Sequence, residues 1–249
     1  MRELHRLQLS PRIHGPGPES LRKPGLAEVS AILAGHALFR DMHPGPVGRI
    51  AAGTLFIEAP CGNVLFRRGD PCSGFHIVVH GQIKLFLHGK SGTEKVIELP
   101  GTGQSFGEAV MFLDAPYSVS AEAIADTRLL HVAKSAVFAE LDRDPLLARR
   151  IIAGLSARLH HMVREIEMQT LHSGTQRLAS YLLGLVDPRD KTSAHIELPA
   201  RKNVIASRLN LTHEHFSRLL HALTADGTIE LQGARIFIPN LTALRKCCL

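Results

Sequence analysis

The texture of apolar and polar positions changes along the chain. From Leu26 to about Ala52 apolar residues recur in short helical phrases, with Leu33, Ala37 and Leu38 in one and Val47, Ile50 and Ala51 in the next. That spacing predicts helices ahead of the first strands. From Gly53 to about Ala133 the runs become short and strand-like: Val64–Phe66, Phe75–Val79, Gln82–Leu87 and Lys95–Leu99. They are punctuated by Gly69-Asp70-Pro71, His80-Gly81 and Gly89-Lys90-Ser91-Gly92. Such punctuation predicts an all-β barrel or roll with room for a pocket. After Asp144-Pro145, an N-cap followed by proline at the first helical position, Ile152, Leu155, Leu159, Met162 and Ile166 recur at steps of 3, 4, 3 and 4. So narrow a stripe, flanked by Arg158, Arg164, Glu165 and Glu167, is the pattern of a two-stranded coiled coil and predicts a dimer seam.

Ser173-Gly174 breaks this pattern, and a second helix runs from Thr175 to about Leu185, ended by Asp187-Pro188. Further on, Val204, Ile205 and Leu209 share one face of a short helix. Asn210 follows, a residue that tolerates the left-handed backbone of a tight interhelical turn, and Thr212 is a good N-cap for the next helix. There Phe216, Leu219, Leu220 and Leu223 form one continuous apolar face that must pack inward. His213, Glu214, Ser217, Arg218 and His221 are left facing outward. A carboxylate, a hydroxyl and a guanidinium on adjoining turns can read base amino groups and guanine O6/N7 in a major groove. The glutamate is informative, because pure phosphate binding would exclude negative charge. Asp226-Gly227 closes the helix, and Thr228–Leu231 and Arg235–Ile238 form a hairpin through Gln232-Gly233-Ala234. Together these parts make a winged helix-turn-helix.

Composition changes this picture little. With 249 residues, 45% apolar and 21% charged, the chain can bury one or two cores. No stretch approaches the ~18 consecutive apolar residues of a membrane span, and the N-terminus lacks a signal-peptide apolar region, so a cytoplasmic protein is expected. The cysteines, Cys61, Cys72, Cys247 and Cys248, lack zinc or disulfide-framework spacing, and the last two read as a frayed tail. Charge is unevenly placed. Residues 1–140 carry 14 Lys/Arg against 13 Asp/Glu and residues 173–249 carry 10 against 6, so +4 of the formal +6 lies in the C-terminal third, as a polyanion-binding module would show. The expected class is α+β: a flexible leader over 1–25, a β-roll sensor over 26–143, a dimerisation helix over 144–172 and a DNA-binding domain over 173–249. No nucleophile, base and orienter arrangement emerges, which argues against an enzyme. A ligand-binding scaffold without DNA activity is the rival reading.

The order of parts resembles the superfamily of the cyclic-AMP receptor protein and the fumarate-nitrate anaerobic regulator. Phe106-Gly107-Glu108 after the roll, the long helix near Pro145 and Glu214-x-x-Ser217-Arg218 carry the resemblance. In the anaerobic branch this glutamate, serine and arginine read TTGAT half-sites, so the resemblance implies a TTGAT-N4-ATCAA target, a homodimer, an activating role and RNA polymerase as a further partner. The stretch Thr175–Leu183 and Arg158-Leu159-His160 look most like the Dnr-type denitrification regulators. That likeness implies a response to nitric oxide or redox state, with haem as the cofactor.

Cyclic-nucleotide binders of the superfamily hold the ribose with the glutamate after glycine and the phosphate with a downstream arginine. Gly107 and Glu108 are present, but no Lys or Arg lies between Glu108 and Arg128, and Tyr117-Ser118-Val119-Ser120 stands in the expected place. A buried phosphate without a cation loses its strongest hydrogen bonds, which argues against cyclic AMP. The scattered cysteines argue against an iron-sulfur cluster. For haem, His14, His36, His43, His76, His80, His88, His160, His161 and His172 fall in the sensor half or the dimer helix without singling out an axial ligand. A slot lined by Ile77, Val79, Ile83, Leu85 and Phe86 is expected to admit haem or to be filled by its own side chains.

Overall fold

The computed structural model describes residues 21–22, 25–40, 42–89 and 92–248. The chain divides into two compact units, one of residues up to Leu87 together with Ile97–Ala157, the other of His88–Val96 together with everything from Arg158 onward.

The first unit opens with β1 (Leu21–Arg22), α1 (Leu26–Gly35) and α2 (Pro44–Ala52). The roll follows as β2 (Thr54–Ala59), β3 (Val64–Phe66), β4 (Gly74–His80), β5 (Ile83–His88), β6 (Glu94–Glu98) and β7 (Ser105–Phe106). Then come α3 (Glu108–Phe112), β8 (Ser120–Ala123), β9 (Thr127–Ala133) and α4 (Lys134–Leu141). One sheet has the order β1-β2-β9-β4-β7 and the other β3-β8-β5-β6. Of the leader, Leu21–Arg22 is a strand pairing antiparallel with Ile57 and Phe56 of β2, which corrects the expectation of a loose segment as far as Arg22. Residues 1–20, with His14, lie outside the described residues.

Sequence forces the turns. Gly81 has φ 92°, and a Cβ there would stand 2.5 Å from the Asp126 carbonyl oxygen and 2.7 Å from Thr127 Cα, so only glycine closes the β4–β5 corner. Two apolar clusters hold the unit. Ile57, Phe66, Val78, Ile83, Leu85, Phe106, Tyr117 and Leu129 fill the roll. Leu33, Phe39, Ile50, Phe75, Ile77, Leu130, Leu147 and Ile151 seat the helices on the outer face of the β4/β9 sheet.

Helix α5 runs unbroken over Pro145–Leu171, started by an Asp144 carboxylate that accepts from Leu146 N at 2.9 Å. Along the predicted seam Ile152 (63%), Leu159 (64%), Met162 (55%) and Ile166 (62%) are exposed. Leu155 departs from the stripe: it is half-buried against the helical cluster of the first unit. Val163 and Leu171 add further exposed apolar surface.

The second unit contains α6 (Gly174–Gly184), β10 (Ala194–Glu197), α7 (Lys202–Arg208), α8 (His213–Ala225), β11 (Glu230–Gln232), β12 (Arg235–Ile238) and α9 (Leu241–Lys246). Its sheet has three strands, β10-β12-β11, with Ala194 opposite Ile238 and Glu197 opposite Arg235. Strand β10 is missing from the sequence reading, although Ala194-His195-Ile196-Glu197 alternates buried and exposed as a half-buried strand must. Cys247 and Cys248 correct the frayed-tail expectation: both pack on the apolar cluster behind α9, and the Ser180 hydroxyl donates to Cys248 Sγ at 3.4 Å.

Candidate nucleic-acid interface

The outward residues singled out by spacing lie on α8, and its start is set locally. Asn210 takes φ +56°, the left-handed conformation foreseen for the turn between α7 and α8. Leu211 N then donates to the Ala206 carbonyl at 2.9 Å, and the Thr212 hydroxyl accepts from His215 N at 3.2 Å as the N-cap. Phe216, Leu220 and Leu223 are 0–3% exposed in a cluster with Leu178, Ile205, Ile229 and Ile236, and Leu219 is half-buried against it. That face fixes the rotation of the helix.

The residues left over are those singled out by their spacing. Thr212, His213, Glu214, Arg218 and His221 are exposed, and Ser217 is half-buried between them. Positions 214, 217, 218 and 221 are neighbours on one helix face, so the acceptor, the hydroxyl and the guanidinium stand together over two turns. A hydrogen bond from its own backbone N–H, reinforced by the Thr212 hydroxyl, holds the Glu214 carboxyl below the usual range, so it stands ionised as an acceptor at neutral pH. Arg218 takes part in no ion pair among the described residues, which leaves its five donors for another partner. The inward and outward faces of α8 therefore lie as the spacing predicts.

The sensor interior is less as expected. Ile83 and Leu85 line the roll, whereas Ile77 and Val79 belong to the cluster under the helices, so the proposed slot mixed two sides of the sheet. Inside the roll Tyr117 stacks on Phe66 at 3.5 Å and 6°, His76 stacks on Phe106 at 5.0 Å and 15°, and Tyr117 Oη donates to the Gly74 carbonyl at 3.2 Å. Burial pushes the Tyr117 phenol well above its ordinary pKa. Glu108 begins α3 and is itself buried.

His76 and His131 are cross-strand partners on β4 and β9, and sequence reasoning did not single them out. His76 Nε2 lies 3.2 Å from His131 Nδ1, His131 Nε2 lies 3.3 Å from Ser73 Oγ, and His76 Nδ1 has no partner. Burial holds both rings neutral, with His131 lowered to about 4 and His76, which also faces the His131 ring, held well below the ordinary imidazole value. A neutral imidazole nitrogen without a partner has the chemistry of an axial haem ligand. The space around it does not: Phe106, Phe66 and Tyr117 pack against the His76 ring, and a porphyrin would have to displace them. The residues inside the roll thus do not fit haem as they are packed.

A cyclic nucleotide-binding domain family matches residues 56–144, and a Crp-like helix-turn-helix domain family matches residues 176–247. The cyclic AMP receptor protein of Thermus thermophilus is 30% identical over 214 residues, which is 86% of this chain and 97% of that protein. FixK2 from Bradyrhizobium japonicum shares the fold at TM-score 0.70 and 22% identity, over 79% of this chain and 98% of its own. The sensor domain of the transcriptional regulator DNR from Pseudomonas aeruginosa aligns at TM-score 0.51 and 29% identity, over 57% of this chain and 95% of its own. Similarity to the Thermus protein over 86% of the chain, with the two domain families in that order, places the chain among regulators that bind DNA and act as homodimers, not among enzymes. The chain belongs to the Crp/Fnr family of DNA-binding transcription regulators.

Proposed function

We propose that this regulator reads TTGAT-N4-ATCAA sites as a homodimer in the cytoplasm and activates transcription together with RNA polymerase. One observation carries the reading: Glu214, Ser217 and Arg218 lie together on the outward face of a helix whose opposite face packs into the apolar cluster through Phe216, Leu220 and Leu223. Arg218 takes the guanine of each half-site bidentately through O6 and N7, and Glu214 accepts from a base amino group on the paired strand. Thr212 and His213, at the helix N-terminus, and His221, two turns on, flank these contacts and meet the backbone or the neighbouring bases. The exposed seam of Ile152, Leu159, Met162 and Ile166, with Leu155 at its inner edge, pairs with the same stripe of a second copy and spaces the two reading heads. A mobility shift with the palindromic duplex tests the reading. Arg218→Ala weakens specific binding by about 1–3 kcal/mol per half-site contact, and equal binding by both proteins overturns the role of Arg218.

For the signal, nitric oxide or redox state is favoured over a cyclic nucleotide. Support comes from the likeness of the sensor to that of DNR and from Tyr117, which fills the roll where a phosphate would need a cation. The similarity to a cyclic AMP receptor protein keeps the nucleotide as the second reading. Protein purified with haem supplied separates the carriers. Without a Soret band or a saturable haem titration, haem is not how the signal enters, and a saturable cyclic AMP titration would favour the second reading.

A further inference from the structure

Gly174 is the first residue of α6, directly after the Ser173 N-cap, whose hydroxyl and Gln176 partner form a reciprocal capping box. A glycine at this place gains nothing from its backbone. Its conformation is not left-handed, and alanine is the better helix former. What glycine supplies is closeness. A Cβ built there would meet Leu219 Cδ1 at 3.0 Å, His215 Cε1 at 3.2 Å and Leu211 Cδ2 at 3.2 Å, all tighter than ordinary van der Waals contact. His215 and Leu219 are on α8, beside Glu214 and Arg218 in sequence, and Leu211 belongs to the turn that starts it.

We propose that Gly174 is a positioning residue for DNA reading: the missing side chain lets the reading helix seat against the N-terminus of α6, and that seat sets the height of the Glu214, Ser217 and Arg218 face. This rests on α8 being the reading helix. The buried residues Phe216, Leu220 and Leu223 determine how α8 is rotated, while the Gly174 contact determines how far it stands off from α6. A methyl group at 174 makes the Leu219, His215 and Leu211 side chains give by a few tenths of an ångström, and α8, which carries two of them, shifts with them. Bidentate base contacts tolerate such shifts poorly, because good hydrogen bonds occupy a window of about 2.7–3.2 Å, whereas phosphate contacts through long flexible side chains adapt.

The two roles of the glycine predict opposite results. If the position is only a helix start, Gly174→Ala raises the melting temperature and leaves DNA binding alone. If it seats the reading helix, Gly174→Ala weakens binding to the duplex that wild type selects from a randomised pool by about fivefold, the equivalent of ~1 kcal/mol, and leaves affinity for an unrelated duplex unchanged. Removing the obstructing methyl groups then restores part of the loss, so Gly174→Ala combined with Leu219→Ala binds better than the sum of the single effects allows. Wild-type affinity for the selected duplex in Gly174→Ala, or equal losses on both duplexes, overturns the proposal. A wild-type protein that selects no duplex overturns the DNA reading of α8 itself, a different failure visible before any substitution is made.

Discussion

Arg208, the last residue of α7, places Nη2 2.6 Å from a carboxylate oxygen of Glu165 on α5. The arginine side chain is 16% exposed and the glutamate 36%, so the pair is neither a free surface bridge nor a fully buried one. Arg208 also belongs to a cluster of cations. Burial, followed by Arg208 and Arg177, lowers the pKa of Lys95. Glu165 is thus the counter-charge that ties α7 to α5. Glu165→Gln leaves a half-desolvated guanidinium facing like charges, which costs about 1–2 kcal/mol, above the usual value of an exposed pair. Calorimetry shows a lower melting temperature for the variant, with the difference shrinking as salt is added.

The paired imidazoles in the roll give stability a pH dependence. His131 and His36 have pKa values lowered from 6.5 to about 4 by burial, and burial together with the His131 ring holds His76 well below 6.5, so all three fold as neutral rings. The unfolded chain binds protons at these sites near pH 6.5 and the folded chain does not. Stability is therefore complete above about pH 6.5 and falls as pH drops toward 4, by about 1.4 kcal/mol per pH unit for each histidine that stays neutral. Urea midpoints at pH 7.5, 6.0 and 5.0 measure the slope, and His131→Gln makes it shallower. A midpoint independent of pH across this window contradicts neutral burial.

The turn into α8 can be tested by backbone chemistry alone. At φ +56°, Asn210→Gly keeps the conformation, whereas Asn210→Ala places a Cβ in the left-handed region at a cost of about 1 kcal/mol. The Thr212 hydroxyl is the N-cap acceptor for His215 N, and Thr212→Ala costs about 1 kcal/mol as well. Both losses appear as lower thermal midpoints of the DNA-binding unit, and Asn210→Gly stays close to wild type.

How far these features were legible depended on whether the signal was local. Asn210, Thr212 and the α8 faces follow from spacing and turn chemistry within a dozen residues, and the structure places each where the pattern requires. The long helix was equally plain, because an unbroken run of apolar steps by three and four after an N-cap and a proline has one geometric meaning. The roll interior was not, since Ile77, Val79, Ile83 and Leu85 look alike in sequence and only strand pairing sorts them between two clusters. The His76–His131 pair is a contact across 55 residues between two strands, hidden inside the runs Phe75-His76-Ile77 and Leu130-His131-Val132. Leu155 carried the same heptad signal as its neighbours, yet the helices of the first unit cover it, a tertiary fact that periodicity cannot express.

The seam on α5 makes the strongest claim about assembly. Leu159, Met162 and Ile166 follow one another on a single stripe and are each more than half exposed in the isolated chain. Covering an Ile, Leu or Met side chain completely is worth about 1.5–3 kcal/mol, and a symmetric pair of helices counts each residue twice. One carboxylate inside the seam removes that gain and buries charge opposite charge, since a residue near the two-fold faces its own copy. Met162→Glu therefore yields a monomer in light scattering at concentrations where the wild type is dimeric. It also loses binding to the palindromic duplex more than to a single half-site, because the second reading head is no longer tethered. Arg164→Glu, exposed on the same turn but off the stripe, remains dimeric. A dimeric Met162→Glu protein would move the interface elsewhere and return the stripe to a surface without a partner.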